Sequence, residues 1–115
     1  MPYYMVQATY APEAWARLVQ NPEDRREALR VIAEKNGGTF IDSWLSFGDY
    51  DAVMLFEMPD NVSAATGNMA AMASGALRSI KTTPLMTWEE GLEAMRGASD
   101  AAYRPPGGGL TAPGK

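Results

Sequence analysis

Five residues at alternating positions of strand-like segments could converge on one site: Gln7, Asp42, Trp44, Glu57 and Lys81. Lys81 could anchor an anion, Trp44 could wall an apolar ligand, and Glu57 could act as a base or hydrogen-bond acceptor. The same set could instead be a polar network that fixes the register of an interface, because a charge pair suits either use. A second candidate is the turn Gly48-Asp49-Tyr50-Asp51, two carboxylates flanking a phenol, which could bind a cation or a polar ligand. A hard cation would want more oxygen ligands than this segment carries. The plainer reading is structural: Gly48 reaches positive φ, Asp49 bonds its own backbone, Tyr50 packs and Asp51 opens the next strand. Arg25-Arg26 stands among Glu23, Asp24 and Glu27 and reads as a solvated helix face rather than a phosphate clamp.

The chemistry left open is narrow. The chain has no His and no Cys, which removes an imidazole base, a thiolate nucleophile and the usual ligands of zinc and haem. No metal site and no cofactor is expected. The net charge is −4 and there is no basic run, so neither nucleic acid nor an anionic membrane is an expected partner. No apolar run approaches the roughly 20 residues of a membrane span. With no Cys, and no charged and apolar leader pattern at the N-terminus, the expected compartment is the cytoplasm.

The elements that would position these residues can be read in order. Residues 3–10 form a strand that stops at Ala11-Pro12, and Pro12 suits the first position of a helix. Helical spacing continues to about Asn36, interrupted or kinked near Asn21-Pro22, where Asn21 would cap the second half. Residues 39–47 and 52–58 are the next two strands, joined by the Gly48-Asp51 turn. Asp60 or Asn61 caps a helix over residues 62–74, rich in Ala and Gly, which could sit close to a sheet with Met69 and Met72 filling the gaps. The eight Met residues as a group read as core filler. Residues 77–86 are a fourth strand, placed at an edge by Pro84. Thr87 and Glu90 have capping-box spacing ahead of a short helix that ends at Gly97.

This order predicts an α+β, ferredoxin-like βαββαβ fold with a four-stranded antiparallel sheet in the order 4-1-3-2 and an extra C-terminal helix. The helices cover one face. Val6, Ala8, Ile41, Leu45, Phe47, Met54, Phe56 and Ile80 are assigned to it by alternation. The other face carries Met5, Trp44, Val53 and Leu55 beside Gln7, Asp42, Glu57 and Lys81. That is too much apolar area to face water and too many polar groups for a sealed core, so a second sheet packed across it is expected.

Gly48-Asp49-Tyr50-Asp51 between two strands, the opening Tyr3-Tyr4-Met5-Val6 and the later run from Ser79 through Pro84 to Leu85 together resemble the GYD-domain family. The resemblance covers residues 1–97. It implies a ferredoxin-like protomer and a dimeric α/β barrel, hence a homodimer or higher oligomer, and supplies no activity. Two functional classes therefore stand: a small-molecule-binding or oligomerisation module without catalysis, or a small cofactor-independent enzyme acting on an apolar or aromatic substrate in a barrel cavity. In the second, acid–base work would fall to Glu57, Lys81, Asp42 or a Tyr. Residues 98–115 are Pro- and Gly-rich and read as a tail, either a plain extended end or a tether with residues 110–113 as a docking segment. Its run of three Gly has no strand before it and is not a phosphate loop.

Overall fold

Proline and glycine punctuate this chain, and the elements fall between them. A computed structural model describes residues 1–107 of the 115. They form β1 (Tyr3–Tyr10), α1 (Pro12–Gln20), α2 (Arg26–Lys35), β2 (Thr39–Leu45), β3 (Ala52–Glu57), α3 (Asn61–Ala73), β4 (Leu77–Leu85) and α4 (Trp88–Ala98). Two compact units result. Met1–Leu85 holds the sheet and the first three helices, and the second unit begins at Met86 and holds α4. The anticipated docking segment at residues 110–113 lies outside the described residues.

All strand pairings are antiparallel, and the sheet order is β2-β3-β1-β4, the ferredoxin-like arrangement read from the opposite edge. β4 is an edge strand and tolerates Pro84, which cannot donate to a ladder. Pro12 opens α1 as its first residue. Asp60 caps α3, accepting from the Ser63 N–H at 2.8 Å, and Gly75 follows that helix with φ +80°. Thr87 and Glu90 form both arms of a capping box at the start of α4. That helix runs through Gly97 to Ala98, one residue past the expected stop.

The segment between β1 and β2 is interrupted rather than kinked, with α1 ending at Gln20 and α2 starting at Arg26. Asn21 is the C-cap of α1, not the N-cap of α2. Asp24 instead accepts from the Arg26 backbone N–H at 3.0 Å and grips the Arg26 guanidinium, so the start of α2 is held by a local ion pair.

Val6 and Ala8 of β1, with Ala52 and Met54 of β3, form one buried cluster under Leu29 of α2. Tyr4, Ala33 and Met58 form a second beside Ala64 of α3. Two expectations about β2 fail here. The register shifts between Phe40 and Asp42, so a bulge puts Phe40 opposite Phe56 on the helix side and removes Ile41 from the alternating set. Phe47 lies beyond the strand and is 101% exposed; Leu45 does pair with Ala52 and so keeps its helix-side place, but it is 72% exposed. The methionines also depart from the filler reading. Met54 and Met58 are buried, whereas Met1, Met69, Met72, Met86 and Met95 are exposed. Met69 and Met72 sit about one residue, or about 100°, around α3 from the inward line of Ala64, Asn68 and Ala71, so they point away from the gap they were expected to fill.

Candidate functional site

The face of the sheet turned away from α2 and α3 is built by strict pairing. Lys81 of β4 stands opposite Gln7 of β1, Gln7 opposite Val53 of β3, and Val53 opposite Trp44 of β2, so these four residues make one row across all four strands. The next row is Thr83, Met5, Leu55 and Asp42, and the one beyond it ends at Leu85, Tyr3, Glu57 and Thr39. Ile80 pairs with Ala8 and so lies on the helix side, which leaves Lys81 on the open face.

Of the five candidate residues, Gln7, Trp44 and Lys81 share a row. Glu57 stands two rows away, about 13 Å along the strand from the Gln7 level at ~3.3 Å per residue, and is not a close partner for Lys81. Among the described residues, the carboxylate of Asp42 has its nearest cation in Arg26, at 3.8 Å, and accepts the Ser43 backbone N–H at 2.7 Å. The face therefore has a central apolar strip, Met5, Val53 and Leu55, with Lys81 on one edge strand and Trp44 and Asp42 on the other.

The Gly48-Asp51 turn behaves as a joint. Asp51 Oδ2 accepts from the Tyr10 backbone N–H at 2.9 Å and from Trp15 Nε1 at 3.0 Å, so it ties the start of β3 to the end of β1 and to α1. Its own N–H donates to the Ala8 carbonyl and its carbonyl accepts from the Ser46 N–H. The Ser46 hydroxyl donates to the Tyr50 carbonyl at 2.6 Å. The turn is closed by these bonds. Gly48 does not adopt positive φ, and a Cβ placed on it would meet nothing within 4 Å among the described residues, so the conformational argument for glycine does not apply there.

The helix side holds what pattern reading missed. Between α2, α3 and the sheet lies a cavity of about 330 Å³. Tyr4, Val6, Ala8 and Tyr10 of β1 floor it, and Ala64, Gly67 and Ala71 form much of its α3 wall. A neighbouring hollow of about 500 Å³ under α1 shares Tyr10, Arg25, Leu29 and Met54 with it. The Tyr10 ring meets Trp15 edge-on at 5.3 Å. Burial raises the pKa of the Tyr10 phenol; Arg25 opposes that shift, and Asp51 and Glu23 add to it. The small residues of α3 were the sequence signal, but small side chains are compatible with close packing and with a void alike.

No group of three or more metal-ligating side chains occurs among the described residues, and none of the helices there is long and apolar enough to cross a membrane. A comparison with curated proteins finds no match. The model of the GYD domain matches residues 4–95, most of the chain and all of the sheet but the first residue of β1, and on that match the chain belongs to the GYD-domain family.

Proposed function

We propose that this GYD domain is an assembly and binding module without catalysis, and that a second copy of the chain covers the sheet face turned away from α2 and α3. The carrying observation is the row Lys81, Gln7, Val53, Trp44, which crosses the sheet from a cationic edge to an aromatic, acidic one. A two-fold axis lying between two such sheets, parallel to the strands, sets β4 of each copy over β2 of the other. Lys81 then approaches an edge carrying an indole and a carboxylate, and the apolar strips meet at the centre. Dispersal of Lys81, Glu57 and Asp42 over three rows favours this reading over an enzyme site that needs them together. The Cys-free composition supports a cytoplasmic place of work.

Charge reversal tests the arrangement. Lys81→Glu should weaken self-association at least about tenfold, as expected for like charges facing each other across an interface. Lys35→Glu, at the end of α2, should leave it unchanged. Equal effects of the two substitutions on light-scattering mass would count against this face.

A further inference from the structure

We propose that the cavity between α2, α3 and the sheet is a binding site for a neutral, elongated apolar molecule carrying one oxygen, with that oxygen at the Tyr10 end. This site is on the opposite side of the sheet from the assembly face and does not depend on the second copy.

Shape gives the first part of the ligand class. The floor follows β1 from Tyr4 to Tyr10, six residue steps or about 20 Å at ~3.3 Å each, so the space is long rather than round. Its volume, about 330 Å³, falls within the usual range of small-molecule pockets. The walls are Val6, Ala8, Met54, Phe56 and Ile80 from the sheet, opposed by small residues of α3. Such walls recognise hydrocarbon through contact area alone.

The two ends differ in polarity. At one end the Tyr4 hydroxyl donates to Asn61 Oδ1 at 2.7 Å and is satisfied. At the other, the Tyr10 hydroxyl has no hydrogen-bond partner among the described residues and sits beside Arg25. The Arg25 Nη1 group binds Glu23 at 2.7 Å, and its remaining donors have no partner among the described residues. A half-buried phenol donor next to spare guanidinium donors suits a ligand oxygen that accepts. Charge around this end argues for a neutral oxygen. Arg25 and Arg26 are outnumbered by Glu23, Asp24 and Asp51, and both arginines are already paired with carboxylates. A carboxylate would enter a region of net negative charge, whereas an alcohol or ketone would not.

Decanol and decanoate, titrated separately into the full chain and followed by amide chemical shifts at neutral pH, test this. Decanol should bind saturably, with shifts at Tyr10, Ala64, Ala71 and Ile80, and decanoate should bind at least about 10-fold more weakly. Tyr10→Phe should weaken decanol about 5-fold, the loss of one hydrogen bond. Ala71→Leu should abolish binding by filling the space. The Lys81→Glu variant should bind decanol as the natural chain does, which separates this site from the assembly face. Absence of saturable binding, shifts mapping to Met5, Val53 and Leu55, an unchanged affinity in a folded Tyr10→Phe, or decanoate binding as tightly as decanol would overturn the assignment.

Discussion

Asp51 holds Trp15: the indole Nε1 donates to Asp51 Oδ2 at 3.0 Å, and that same oxygen takes the Tyr10 backbone N–H at 2.9 Å. One carboxylate thus joins a turn, a strand end and a helix. Its neighbour in the motif, Asp49, is exposed and makes no such bond among the described residues.

Asp51→Ala should therefore lower stability by about 2–3 kcal/mol, because two partly buried donors lose their acceptor. Asp49→Ala should change it by less than about 0.5 kcal/mol. Urea unfolding of the two variants measures the contrast, and equal effects would mean that the turn acts as a unit rather than through one carboxylate.

The glycines separate by what surrounds them. A Cβ at Gly38 would collide with the Glu57 carbonyl oxygen and the Met58 sulfur, so Gly38→Ala should destabilise by more than about 3 kcal/mol or prevent folding. At Gly67 the nearest heavy atom would be Ile32 Cδ1 at 3.9 Å, an ordinary contact. Gly67→Ala should stabilise by about 0.5–1 kcal/mol, since glycine in a helix interior carries an entropic penalty. Thermal unfolding of both variants gives the sign of each effect.

Asp24 provides a pH test. Its hydrogen bonds to Arg26 lower its pKa from 3.8 to about 2. A depressed carboxylate contributes stability above its unfolded pKa and loses it as pH falls through the folded value, so any contribution from Asp24 is complete above about pH 4 and fades towards pH 2. The group is fully exposed, and the direct readout is its own titration by carbon-detected nuclear magnetic resonance. The midpoint should lie near 2 and return towards 3.8 in Arg26→Ala.

Much of the fold could be read from pattern because its signals are local and repeated. Alternation in residues 3–10 and 52–57, Pro84 in the last strand, Asp60 before α3 and the Thr87–Glu90 pair each name an element or an end, and together they define the sheet order. The failures have physical causes. A bulge at Ile41 changes the count by one residue, which inverts the face of Phe40, and no residue type announces it. Asn21 can end a helix as well as begin one. The candidate row of Gln7, Trp44 and Lys81 was legible because sheet periodicity alone places it. The Asp51–Trp15 joint and the Tyr10 end of the cavity were not, since both depend on how α1 and α2 lie against the sheet.

Trp44 separates interface from fold. It is 53% exposed in the single chain, so Trp44→Lys should leave the melting temperature of a dilute sample within a few degrees of the natural chain. It should nevertheless reduce self-association by placing a second cation near Lys81. A large fall in monomer stability would instead assign Trp44 to the protomer core.

Sedimentation equilibrium of the full chain at low micromolar concentration addresses the assembly claim most directly. A second copy over the sheet face turned away from α2 and α3 predicts a particle of twice the 12.5 kDa chain mass, reduced towards one chain by Lys81→Glu. A single species of 12.5 kDa for the natural chain under those conditions would contradict it.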